Sequence, residues 1–122
     1  MARVLVADDE ADVLKLIALT LELEGHEVIG AANGAEAVKR AIEERPDAIV
    51  LDVMMPKVDG LTALRQLRQG ATTRDIPVLL LSAKSQTIDI ELGAKAGAAG
   101  YVTKPFEPDD LVAEVERVMT RR

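Results

Sequence analysis

The sequence predicts a doubly wound α/β domain built on a five-stranded parallel sheet, a three-layer sandwich with helices on both faces. Over 122 residues, five short apolar runs alternate with five stretches of helical periodicity, the pattern of repeated strand-helix-strand units. The inner runs, Ile49-Val50-Leu51 and Val78-Leu79-Leu80-Leu81, are apolar at every position instead of every second one, as strands covered on both faces require. Parallel neighbours need right-handed crossovers, and those crossovers supply the covering helices.

Taken in order, residues 3–7 form the first strand, and 11–24 a helix with Val13, Leu14, Ile17 and Leu21 inward. Gly25 stops that helix. Residues 27–31 form the second strand, Asn33-Gly34 a turn, and 35–44 a helix with Ala37, Val38, Ala41 and Ile42 inward, broken by Pro46. The third strand, 47–51, runs into Asp52. A loop through Pro56 and Asp59-Gly60 then leads to a helix at 61–69 that presents Leu61, Leu64 and Leu67. The fourth strand spans 77–81 and ends at Ser82. A helix at 87–96 is expected to be short and mobile, because Gly93 and Gly97 each lower helix propensity by about 1 kcal/mol relative to alanine. A fifth strand at 98–103, a turn at Lys104-Pro105 and a last helix from 108 to about 119 complete the chain. Asp109 or Asp110 stands near the positive end of that helix. No repeat, low-complexity segment or linker interrupts this order, so residues 1–122 are read as a single domain.

Composition narrows the function classes. The chain has no cysteine, which removes disulfides and thiolate metal sites. A net charge of -6 and a pI near 4.8 argue against direct binding to nucleic acid, which needs a basic surface. The start of the chain is too short in apolar residues for a signal segment, and no run reaches membrane-spanning length. A cytoplasmic protein without membrane contact is expected.

In open parallel sheets ligands bind beyond the carboxyl ends of the strands, where successive crossovers change face. The strands deliver polar residues to that edge: Asp8 and Asp9 from the first, Asp52 from the third, Ser82 from the fourth and Lys104 from the fifth. Singly, each has a structural explanation, Asp8 or Asp9 as a helix cap, Asp52 or Ser82 as a turn residue, Lys104 as a solvated lysine. Together they are a constellation. Three carboxylates in proximity repel unless a cation intervenes, and an oxygen-only donor set points to Mg2+ over Zn2+. A carboxylate beside Mg2+, a lysine and a hydroxyl can accept a phosphoryl group.

Four motifs carry a resemblance: Val6-Ala7-Asp8-Asp9-Glu10; Leu51-Asp52-Val53-Met54-Met55-Pro56 with Asp59-Gly60; Leu80-Leu81-Ser82-Ala83-Lys84; and Gly100-Tyr101-Val102-Thr103-Lys104-Pro105-Phe106. From end to end the chain resembles the receiver domain of two-component response regulators. The resemblance implies a flavodoxin-like sheet of order 2-1-3-4-5 and a phosphorylation-activated signalling switch. Asp52 would take a phosphoryl group from a histidine kinase or histidine phosphotransfer protein. Asp9, Asp52 and the backbone carbonyl of Met54 would bind Mg2+, with Asp8 acting through water. Lys104 would contact the phosphoryl group, with a cis peptide between Lys104 and Pro105. Ser82 and Tyr101 would form the switch, and the fourth helix, fifth strand and fifth helix the output face. Met54 and Lys84 resemble the positions that tune hydrolysis of the aspartyl phosphate.

Departures from the family pattern also count. Ser82 stands where threonine is more frequent, but the hydroxyl is kept. Ala99-Gly100 and Glu114 occupy places where DNA-binding members carry acidic and basic residues that pair across a dimer, so that dimer is in doubt and a monomer or weak homodimer is expected. No effector domain is recognised within the chain, and the downstream partner is unknown. An aspartate-nucleophile phosphatase is an alternative on a related fold; it usually has a second aspartate two residues on, where this chain has Met54, so no enzyme is expected beyond self-catalysed phosphoryl acceptance and autodephosphorylation. A receiver-like binding module independent of phosphate is the remaining alternative. In the first helix Leu16, Leu19 and Leu23 make a second apolar stripe, explained by burial against the last helix or by docking of a helical phosphodonor or a second receiver.

Overall fold

The computed structural model describes residues 2–55, 57–83 and 87–120. Five strands, β1 (Arg3–Ala7), β2 (Glu27–Ala31), β3 (Ala48–Asp52), β4 (Val78–Ala83) and β5 (Gly100–Lys104), alternate with five helices, α1 (Ala11–Leu23), α2 (Gly34–Glu44), α3 (Gly60–Gln69), α4 (Thr87–Ala96) and α5 (Pro108–Thr120). The strands form one parallel sheet in the order β2-β1-β3-β4-β5. No helix among the described residues is long and apolar enough to cross a membrane.

Strand alternation divides the core in two. Leu5, Ala7, Ile49, Leu51, Val78 and Leu80 face the side covered by α2, α3 and α4. Val4, Val6, Ala48, Val50, Leu79 and Leu81 face α1 and α5. Both sets are buried, which is why the inner strands read as continuous apolar runs. The chain leaves β1 on one side for β2 and returns across the other face to β3. The carboxyl ends of β1 and β3 are thus the point at which the winding reverses.

Several local expectations are corrected. Strand β4 runs to Ala83, because Ser82 and Ala83 pair with Thr103 and Lys104 of β5; Ser82 lies within the strand, and Lys104 is the last strand residue. Ala98 and Ala99 precede β5, their N–H groups donating to the carbonyls of Gly93 and Val78. Ile42 points to solvent, since Ala37 and Ala41 already fill the close approach of α2 to the sheet. Leu16, Leu19 and Leu23 are exposed, so α5 does not cover them. Neither Asp8 nor Asp9 caps α1; the cap position is Glu10, without a side-chain bond.

The glycines of α4 have a packing role. A Cβ on Gly93 would stand 2.2 Å from Leu80 Cδ1, a side chain fully enclosed in the core. Gly93 lets α4 approach β4, and this outweighs its propensity cost. Gly97 adopts φ 103 just beyond the helix, a conformation that favours glycine. The end of α4 is further held by Arg68, whose guanidinium donates to the carbonyls of Gly97, Arg74 and Ile76 at 2.9 to 3.1 Å.

Candidate functional site

The site stands on the reversal point of the sheet. Asp8 follows β1 and is fixed by its N–H donating to the Ala31 carbonyl at 3.1 Å. Its Oδ1 accepts from the Glu10 N–H at 2.9 Å, closing a local turn that leaves Oδ2 free to face β3. Asp52 is the last residue of β3, and its Oδ1 accepts from the Met54 N–H at 3.2 Å. Asp8 and Asp52 are buried, whereas Asp9 is exposed. One carboxylate oxygen from each of the three can be chosen so that all lie within 4.8 Å of one another.

Lys104 reaches this cluster from the end of β5. Its Nζ lies 2.9 Å from Asp8 Oδ2 and 3.1 Å from Asp52 Oδ2, with Glu10 Oε1 at 3.9 Å. Burial disfavours the ammonium, but its bonds to Asp8 and Asp52 outweigh that penalty and hold its pKa above the ordinary lysine value. Asp52 moves the other way from a typical paired carboxylate. Burial and the neighbouring Asp8 push its pKa up, and Lys104 offsets them only in part. The Lys104–Pro105 peptide is cis.

The donor set suits Mg2+. The clustered carboxylates of Asp8, Asp9 and Asp52 carry more negative charge than Lys104 neutralises, so a dipositive ion would offset the excess, and every candidate ligand is a hard oxygen.

The other site residues identified in the sequence lie at different distances from this centre. Ser82 is buried one position beyond Leu81, the register partner of Asp52, and its hydroxyl donates to the Ala83 carbonyl at 3.2 Å. Tyr101 is 48% exposed on the edge strand. Met54 is exposed, and Lys84 falls outside the described residues.

Two glycines that pack against Asp52 and the loop after it, Gly60 and Gly34, were not legible as site residues. The Gly60 N–H donates to the Val53 carbonyl, and a Cβ at Gly60 would stand 2.3 Å from the Asp52 carbonyl oxygen. The Gly34 N–H donates to the Val58 carbonyl, 2.1 Å from where its own Cβ would be. The loop after Asp52 is therefore packed backbone to backbone against the starts of α2 and α3. Gly60→Ala is expected to destabilise the fold by about 2 kcal/mol, the scale of overpacking against atoms that cannot move aside. Urea denaturation checks this; an unchanged midpoint would show that the loop yields freely.

The sequence profile described as the response regulator receiver domain matches residues 4–116. The chain belongs to the response regulator receiver family. Receiver domains are signalling switches of two-component systems. This receiver is 44% identical over 119 residues to the alkaline phosphatase synthesis transcriptional regulatory protein PhoP of Bacillus subtilis; the match covers 98% of the chain and 49% of PhoP. The chain thus spans about half the length of such curated relatives. A putative response regulator from Chloroflexus aurantiacus superposes with TM-score 0.94 at 36% identity, covering 98% of both chains. The receiver domain of a Pseudomonas aeruginosa sensor histidine kinase superposes with TM-score 0.90 at 30% identity, again covering 98% of both; its structure holds a magnesium ion in the active site cleft.

Proposed function

We propose that this receiver is switched by transfer of a phosphoryl group to Asp52 in the presence of Mg2+. The observation that carries the reading is the buried Asp8–Lys104–Asp52 arrangement at the reversal point of the sheet, with Asp9 beside it. Asp9, Asp52 and the Met54 carbonyl would hold the ion, with Asp8 acting through water. When bound, the ion withdraws charge from the phosphoryl oxygens and from Asp52. An oxygen of Asp52 forms a bond to phosphorus as the bond from phosphorus to the donor's imidazole nitrogen breaks. The electron pair stays on that nitrogen, and Lys104 stabilises the charge spread over the transferred oxygens. Water later attacks phosphorus, the bond to the Asp52 oxygen breaks, and inorganic phosphate leaves the restored carboxylate, which resets the switch.

The donor is a histidine kinase or histidine phosphotransfer protein. A cleft of about 190 Å3 lined by Val13, Leu16, Lys104, Pro105 and Phe106 joins the site to the α1 stripe, where Leu16, Leu19 and Leu23 lie open. A helix of the donor covers this stripe while its histidine enters the site. Leu19→Ser is expected to slow transfer from a cognate kinase about tenfold, the scale of one lost apolar anchor, while leaving transfer from acetyl phosphate unchanged. Equal rates from the kinase in both proteins would sink the docking reading.

Phosphorylation draws the Ser82 hydroxyl toward the new oxygens and the Tyr101 ring inward, shifting the population of α4-β5-α5 surfaces presented to an effector. This receiver acts in the cytoplasm through protein partners, and its own net charge of -6 disfavours direct contact between the domain and nucleic acid. Intact mass after incubation with Mg2+ and acetyl phosphate tests the central step. A single phosphoryl adduct that chelation prevents is the expected result. No adduct would favour a phosphate-independent binding module, and steady release of phosphate from many donors a phosphatase.

A further inference from the structure

We propose that the groove between β5 and α5 binds a partner segment carrying basic side chains beside an apolar anchor, and that it is not a self-pairing face between copies of this chain. The groove encloses about 430 Å3 and opens along the exposed edge of the sheet. Tyr101 and Phe106 give it aromatic surface, Tyr101 being 48% exposed. Exposed aromatic surface beside a formed groove is what an apolar anchor needs.

The rim decides the charge of the occupant. Glu107, Asp110 and Glu114 line it, against one cation among the described residues, Arg117. That guanidinium is already committed: Nε and Nη2 contact the two oxygens of Glu114 at 3.0 and 2.7 Å, and Nη2 also donates to the Ala99 carbonyl at 3.3 Å. Gly100 makes room for it, since a Cβ there would stand 2.6 Å from Arg117 Nη2. Glu107 and Asp110 are thus left in excess at the open end. A lysine or arginine entering beside an apolar side chain meets both features at once. A second copy meets only the apolar feature: the same face of a partner brings a second acidic rim whose lining arginine is already paired with Glu114, so it offers no free cation from the groove, and each chain already carries a net charge of -6. The charge selection stands on the groove alone; only its dependence on phosphorylation rests on the proposed switch.

The test is fluorescence anisotropy of a short labelled peptide of lysines, leucines and one phenylalanine, blocked at both ends, against the whole chain. The same peptide with glutamate for every lysine runs beside it. The lysine peptide is expected to bind saturably and the glutamate peptide about tenfold more weakly or worse. The double variant Glu107→Gln/Asp110→Asn is expected to lose about tenfold in affinity for the lysine peptide. Glu43→Gln/Asp75→Asn removes the same charge elsewhere and is expected to change nothing, with circular dichroism melts confirming that both variants fold. Equal binding of the two peptides, an unaffected groove variant, or an equal loss in the remote variant would overturn the proposal. Self-association abolished by Tyr101→Ala would overturn its second half. Groove-dependent selectivity that acetyl phosphate leaves unaltered would support the groove and sink the output-face reading instead.

Discussion

Asp52→Asn is expected to abolish the phosphoryl adduct completely while making the fold more stable at neutral pH. The amide has no nucleophilic oxygen of carboxylate strength, so position 52 loses its capacity to accept the phosphoryl group. The stability gain follows from the direction of the Asp52 shift. Burial and Asp8 raise its pKa in the folded state, so folding favours the protonated form. A group raised in this way contributes stability that is fully present below its unfolded pKa, about 4, and lost as pH rises through the folded value. The asparagine variant has no such loss. Without metal, its melting temperature is expected to exceed that of the unsubstituted protein by several degrees at pH 7, corresponding to about 1 kcal/mol. The two proteins should converge below about pH 4. Mg2+ should narrow the difference at pH 7 by stabilising the unsubstituted site preferentially. Melts of both proteins across pH, with and without Mg2+, check all three parts. A variant no more stable at pH 7 would mean that Lys104 fully compensates the buried charge.

Lys104→Met carries the second large effect. The ammonium lies within 3.1 Å of both buried carboxylates, and its removal leaves Asp8 and Asp52 facing each other unpaired. Breaking a fully buried pair costs about 3–5 kcal/mol; the Lys104 side chain is 21% exposed, so about 2 kcal/mol is expected here. The sign with pH is set by both partners. The Lys104 pKa is raised in the folded state, so its contribution is present below the ordinary lysine range and lost as pH rises above about 10.5. At the acid end, protonation of the carboxylates removes the repulsion that the variant suffers. The stability difference should therefore hold across neutral pH and shrink toward both extremes, and Mg2+ should restore part of it. Transfer from acetyl phosphate should also slow by about tenfold or more, since one preorganised positive group is missing from the transition state. Guanidinium denaturation at several pH values, with timed intact mass, checks this. An unaltered denaturation midpoint at pH 7 would mean that the carboxylates are solvated well enough without the lysine.

The fold and the gathering of Asp8, Asp9, Asp52 and Lys104 at one edge were legible in the sequence for one shared reason. Apolar runs buried on both faces can only be inner strands of a parallel sheet, and the polar residue ending each run must then lie at one edge. Asp8, Asp52 and Lys104 announced themselves by where the hydrophobic pattern stopped. Ser82 was placed one step too far out, because the end of a strand is set by its neighbour's hydrogen bonds, and β5 extends β4 through Ala83.

What the sequence could not contain is anything that depends on which surfaces meet. The stripe Leu16, Leu19, Leu23 has the same spacing whether α5 covers it or solvent does, and only the packing left it open. Gly60 and Gly93 read as a turn residue and a helix weakener; tertiary structure makes them points of close approach to the Asp52 carbonyl and to Leu80. The acidic rim of the β5–α5 groove joins Glu107, Asp110 and Glu114 with Tyr101, a grouping created when α5 packs beside the edge strand. Local sequence determines periodicity and chain polarity, because both are properties of neighbouring residues. Charge balance at the site, exposure of a stripe and the lining of a groove are sums over distant segments, and only the folded chain brings those segments together.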